Sequence, residues 1–129
     1  MASERTRARI AARIKERVAH CVEFELSDPR AHFITITDVE VSADLSAAKI
    51  SYSVLGTESE KSQVQHMFQS AAGFVQRQVG KVLQTRITPR LSFLYDDSLE
   101  RAAELDDAIS RALRRDEQIR EEGHAEEEE

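Results

Sequence analysis

The sequence predicts an α+β fold: a small three-stranded sheet carrying its helices on one face. Two neighbouring stretches, "FITITDVEVS" and "AKISYSVL", alternate apolar and polar residues with period two, as strands do. Longer stretches before and after them repeat apolar residues every three or four positions, as helices do. A third alternating stretch, "RLSFLYD", follows the second helical region. The order is α-β-β-α-kink-α-β, with a C-terminal helix and an acidic tail. One layer of helices on one sheet is the economical way to bury those faces.

The first helix is expected from about Ser3 to Leu26. Ile10, Ile14, Val18, Cys21 and Val22 share one face, with arginines on the other. Asp28-Pro29 stops it, because the residue before proline disfavours helical geometry. In the first strand Ile34 and Ile36 share a face, then the phase slips at Asp38 and Val39 and Val41 take over. Such a slip predicts a bulge or bend. "ADLSAA" is a short turn, and the second strand alternates cleanly through Ala48, Ile50, Tyr52 and Val54. Strands this close are expected to pair antiparallel.

Thr57 and Glu60 form a T-x-x-E capping box that starts the second helical region. Its apolar pattern runs through Val64, Met67, Phe68, Ala71, Phe74, Val75, Val79, Val82 and Leu83. Gly73 interrupts it at a cost of about 0.5–1 kcal/mol relative to alanine. An unbroken helix over residues 59–86 would be about 42 Å long, against a diameter of about 33 Å for a core of ~100 residues. A kink at Gly73 is therefore expected, opening a helix N-terminus near residue 74 that suits an anion.

Pro89 lies past the end of that region, and Leu91, Phe93 and Tyr95 alternate in the third strand. Asp97 and Glu100 can cap a last helix with a thin apolar face of Leu99, Ala102, Leu105, Ile109 and Leu113. Past Asp116 the composition is that of a disordered acidic tail. The expected organisation is a domain over residues 1–97, a helix over 98–116 and a tail over 117–129.

The 129 residues carry a net charge of −6, which hides a strong asymmetry. Residues 1–17 are net +4, residues 18–60 net −6, and residues 96–129 net −9. From Lys61 to Tyr95 there are five basic residues and no acidic one. Like charges four apart, as at Arg77 and Lys81, weaken a helix slightly. A polyanionic partner accounts for an acid-free segment of this kind, and nucleic-acid binding is judged on such segments rather than on overall charge. Five neutralised phosphates would give a log–log salt slope of about −4.5.

Enzymatic readings find little support. No HExxH, CxxC, Walker-type loop or nucleophile motif is present. The four histidines (His20, His32, His66, His124) are scattered, and the carboxylates cluster in the tail, where a charge run is a solvated face. The single Cys21 excludes an internal disulfide and a cysteine-based zinc site, suits a reducing cytoplasm, and reads as a core residue. No apolar run reaches the roughly 18–20 residues of a membrane span, and the first 18 residues lack the hydrophobic stretch of a secretory signal. Neither catalytic residues nor metal or cofactor ligands are expected. Aromatic residues are few and fall mostly at core positions, so shape and phosphate contacts, rather than base stacking, are the expected readout.

The element order resembles a type II KH domain, an RNA-binding module. The GxxG loop that clamps the nucleotide backbone in such domains is replaced here by Ala71-Ala72-Gly73. That A-x-G interruption is similar to the ribosome-binding factor A family of bacterial small-subunit assembly factors. "SDPR" at the end of the first helix, "ITITDVEVSADLSAAKISYSVLG" over the hairpin, and "RITPRLSFLYDDSLERAAELDDAI" over the last strand and helix match that family in order. The resemblance spans roughly residues 5–115.

The resemblance implies a cytoplasmic, monomeric binding factor that engages the immature small ribosomal subunit and its ribosomal RNA near the neck. It implies help with late maturation of the RNA 5′ end, importance in the cold, and release with an assembly GTPase. Carried onto this chain, the RNA-facing residues are Ala71, Gly73, Arg77, Lys81 and Arg86, then Arg90 and the N-terminal Arg5, Arg7 and Arg9. Arg30 in "SDPR" either faces RNA or ties down the helix–strand turn, and both readings stay open. The alternative from another class is a protein-interaction adaptor acting through the acidic tail, which itself repels RNA.

Overall fold

Ser3 opens the first helix, α1 (Glu4–His20), by accepting a hydrogen bond from the Thr6 backbone N–H at 3.2 Å on its side-chain oxygen. A computed structural model of the chain describes residues 2–127. After α1 the chain widens into one π-helical turn over Cys21–Glu25, closed by Leu26 N–H donating to Cys21 C=O at 3.0 Å. A 3₁₀ turn over Pro29–Phe33 follows, capped by Asp28. The expected end near Leu26 holds, because Leu26 has extended backbone.

Strands β1 (Ile34–Val41) and β2 (Ala47–Val54) pair antiparallel from Ile34↔Val54 to Val41↔Ala48. The register shifts between Ile36 and Asp38, where the alternation slips in the sequence. The connecting turn places Leu45 at φ 62°, a left-handed conformation uncommon outside glycine. Strand β3 (Arg90–Tyr95) adds to the other side of β2 in parallel, from Ala47↔Arg90 to Tyr52↔Tyr95, giving the order β1-β2-β3.

One face of this sheet is the core face. Val39, Val41, Ala48, Ile50, Tyr52 and Val54 are buried on it, against Ile10, Ile14 and Val18 of α1. The second helix, α2 (Glu58–Val82), contributes Val64, Met67, Phe68, Val75 and Val79. Phe68 stacks on Phe93 with ring centroids 4.5 Å apart and lies 4.6 Å from Tyr52, which joins α2 to β2 and β3. Each fully buried aliphatic or aromatic side chain here contributes about 1.5–3 kcal/mol. The opposite sheet face carries exposed Asp38, Glu40, Lys49, Arg90 and Ser92.

The expected pair of helices around Gly73 is a single helix. Helical structure runs through Gly73 without interruption, no glycine has positive φ, and no separate helix N-terminus opens at residue 74. The expectation counted residues 59–86 as helix. In fact Leu83 is already extended, and residues 83–89 form a loop. The buried stretch from Val64 to Val79 is only about 23 Å long, so the apolar face fits over the sheet without a break. The start of α2 that precedes it, Glu58 to Gln63, is polar and can stand in water.

The chain divides into two units, meeting between Asp96 and Asp97. The second is the helix α3 (Ser98–Glu127). It continues through residues 117–127, where disorder was expected; Glu, Gln, Arg and Ile in that stretch are compatible with helix on propensity alone. The last two glutamates of the expected tail lie outside the described residues. Leu105, Ile109 and Leu113 are exposed on α3, and Arg101–Asp97 (2.9 Å) and Arg111–Asp107 (3.4 Å) pair one turn apart.

Candidate nucleic-acid interface

On α2, burial of Val64, Met67, Phe68, Val75 and Val79 leaves a complementary exposed line through Ser70, Gly73, Arg77 and Lys81. These follow one another at steps of three or four, so they share a face. A methyl group built on Gly73 would meet only Nη1 of Arg77, at 3.4 Å, so no packing neighbour demands a glycine there. Among the described residues, no carboxylate comes within ion-pair distance of Arg77 or Lys81. The arginines of α3 that pair with Asp97 and Asp107 show the alternative: a solvated helix face supplies its own counter-charges.

Ala71 does not join this face. It lies two positions from Gly73, about 200° around the helix, and is partly buried against the core. Its small side chain serves packing.

Arg86 and Arg90 fall at the other end of the loop, beside the β1–β2 turn. Gln76 of α2 holds that end in place: its Nε2 donates to Pro89 C=O at 2.8 Å, and its Oε1 accepts from Leu91 N–H at 2.9 Å. Arg90 N–H donates to Ser46 C=O at 2.9 Å. Arg86 lines a hollow of about 180 Å³ with Asp44, Ser46 and Ile87. Asp44 is held down to about 2 by hydrogen bonds from the Ser46 and Ser42 hydroxyls, so a fixed negative charge stands near Arg86. Arg90 is exposed opposite Ala47, on the sheet face away from the helices. The predicted basic set therefore splits: Arg77 and Lys81 share a helix face with Gly73, whereas Arg86 and Arg90 flank the β1–β2 turn.

On α1, Arg5 and Arg9 are exposed, but Arg7 is not free. Its Nε and Nη2 both donate to Val41 C=O, at 3.1 and 2.7 Å, tying α1 to the end of β1. Arg30 likewise ties the helix–strand turn: its side chain donates to both oxygens of Asp28 and to Gln63 C=O. The Arg30 guanidinium beside Asp28 holds that carboxyl at about 2.

Sequence reasoning missed Arg13, exposed one turn beyond Arg9. The signal was the i, i+4 spacing of Arg9, Arg13 and Arg17. Arg13 lines a groove of about 430 Å³ between α1 and the end of α2, with Glu16, Arg17, His20, Glu25 and Val82. Arg17 crosses it, pairing with Glu25 at 2.9 Å and donating to Gln78 Oε1 at 2.9 Å. Phe24 is 68% exposed, its ring 5.0 Å from that of the groove-lining His20. Beneath, Cys21 is buried, and burial, reinforced by the Glu25 carboxylate, pushes its thiol up to about 11.

Among the described residues no group of three or more His, Cys, Asp or Glu is placed to hold a metal ion, and no helix is long and apolar enough to cross a membrane.

Comparison with known proteins gives the geometry its family. A solution NMR structure of a Thermotoga maritima protein superposes with a TM-score of 0.65 at 27% identity, covering 76% of this chain and 93% of that one. The crystal structure of ribosome-binding factor A from Thermus thermophilus shares the fold, with a TM-score of 0.61 at 24% identity, covering 69% and 94%. Ribosome-binding factor A from Clavibacter michiganensis is 42% identical over 114 residues, 88% of this chain and 69% of that protein. The Halothermothrix orenii protein of that name is 36% identical over 121 residues, 93% of this chain and 99% of its own length. The family model described as ribosome-binding factor A matches residues 6–109, and the chain belongs to that family.

Proposed function

We propose that this chain binds the immature small ribosomal subunit through its ribosomal RNA, with Gly73, Arg77 and Lys81 at the centre of the contact. Arg86, Arg90, Arg5 and Arg9 add charge around it. The observation that carries the reading is the exposed α2 face on which Arg77 and Lys81 stand without a carboxylate partner, inside a segment that has no acidic residue. A duplicated cationic face of this kind costs the helix a little stability and gains it back only against a polyanion. Family membership points to the same partner, and a Thermus thermophilus ribosome binding factor A has been fitted into the map of a 30S complex.

In this reading the protein acts by binding and carries out no turnover. It assists late maturation and 5′-end processing of the small-subunit RNA, matters most in the cold, works as a monomer in the cytoplasm, and leaves with the help of an assembly GTPase. The test is equilibrium binding to purified immature small subunits from 50 to 200 mM salt. Four to five phosphate contacts predict a log–log slope near −4. A slope near zero, or RNA cleavage by the purified protein alone, contradicts the reading.

A further inference from the structure

We propose that the groove between α1 and the end of α2 is a nucleobase site, where an unpaired RNA base stacks on the exposed rings of Phe24 and His20. This rests on the reading that the chain binds ribosomal RNA, and it adds which part of the RNA is read there.

The placement of the rings comes from the π-helical turn. Cys21 and Val22 anchor the turn in the core, and Phe24 is left 68% exposed with its ring 5.0 Å from His20. An exposed phenylalanine contributes almost nothing to folding, whereas its π-face is available to any base. The sequence places most of its aromatic residues at core positions. Phe24 and Phe33 are strongly exposed, and of the two Phe24 has a ring partner, His20, which lines the groove.

The groove itself is unsuited to a phosphate. Its lining holds Arg13 and Arg17 against Glu16 and Glu25, so the formal charges of these four cancel. It suits a neutral planar group instead. Arg17 is fixed between Glu25 and Gln78, so the Arg17 guanidinium and the Glu25 carboxylate offer polar edges at set positions. A volume of about 430 Å³ admits a base and its sugar. Val82 lines the groove and Lys81 is its neighbour in sequence, so the groove and the cationic face share the same end of α2.

The test uses the full chain with purified immature small subunits, comparing Phe24→Leu, Phe24→Ala and Phe24→Trp, with ultraviolet crosslinking and peptide mapping as a second readout. Residue 24 is exposed, so the fold is expected to survive each change, checked by circular dichroism. The proposal expects Phe24→Leu and Phe24→Ala to weaken binding at least about fivefold, Phe24→Trp to retain it, the salt slope to stay unchanged, and an RNA nucleotide to crosslink at residue 24. Unchanged binding in Phe24→Leu, while Arg77→Ala weakens it, overturns the base site and leaves RNA binding standing. Weakening that tryptophan does not rescue, or crosslinking to a ribosomal protein, makes this an apolar protein contact and also overturns it. Failure of the unmodified chain to bind subunits at all would instead refute the underlying reading.

Discussion

Gly73 and Arg77 stand one turn apart on the exposed face of α2, and a methyl group at Gly73 would lie 3.4 Å from Nη1 of Arg77 and within 4 Å of nothing else outside its own turn. The glycine is thus neither a turn nor a packing necessity. What it leaves is a low spot on the helix, bordered by a guanidinium, where another backbone can approach closely.

Gly73→Ala separates the two roles. The helix is expected to gain about 0.5–1 kcal/mol, visible as a higher midpoint in thermal or urea unfolding. Binding to immature subunits is expected to weaken, because the added methyl group fills the low spot. Equal or tighter binding together with higher stability would mean that RNA does not approach Gly73.

Arg77→Ala and Lys81→Ala are expected to leave unfolding midpoints within about 0.5 kcal/mol of the parent, since both residues are exposed. Each is expected to make the salt slope of subunit binding shallower by about one unit. A slope that does not move would place these residues outside the interface.

Arg7→Ala should behave in the opposite way. Losing two charged hydrogen bonds to Val41 C=O is expected to cost about 1.5–3 kcal/mol of stability. The exposed neighbour Arg9→Ala is the control, with little change. Equal midpoints in the two variants would show that the Val41 tie contributes nothing.

The Asp28–Arg30 pair gives a pH signature. Asp28 is lowered from an ordinary 3.8 to about 2 by its hydrogen bonds from Arg30, so the folded state favours the ionised carboxyl. Its contribution is complete above about 4 and is lost as pH falls toward 2. Asp28→Asn is expected to be less stable than the parent at neutral pH, with the gap closing in acid urea titrations. A gap independent of pH would remove the pair as its cause.

Much of this architecture was legible in local chemistry. The slip at Asp38 announced the β1 bulge because one inserted residue flips every later side chain. Thr57 marked a helix start through its hydroxyl, which accepts from Glu60 N–H. Other features depend on partners distant in sequence. The end of α2 at Val82 accompanies the Gln76 hold on Pro89 and Leu91, and nothing local to "VLQTR" announces it. Arg7 and Arg9 look alike in sequence, and only the position of Val41 C=O distinguishes them. Nothing in the sequence pairs Phe24 with His20; the π-helical turn leaves it exposed with its ring 5.0 Å from that of His20.

Tethered hydroxyl-radical cleavage can locate the α2 face on the RNA itself, because Cys21 is buried and poorly reactive, so a single added surface cysteine can carry the iron chelate. Ser70→Cys sits on the line of Gly73, Arg77 and Lys81, and Thr35→Cys sits on the exposed part of β1, on the sheet face turned away from the helices. On immature small subunits, strong cuts in the small-subunit RNA are expected from position 70 and weak or no cuts from position 35. Cuts from position 35 alone, or from neither position while the protein remains bound, would show that the α2 face does not lie on the RNA.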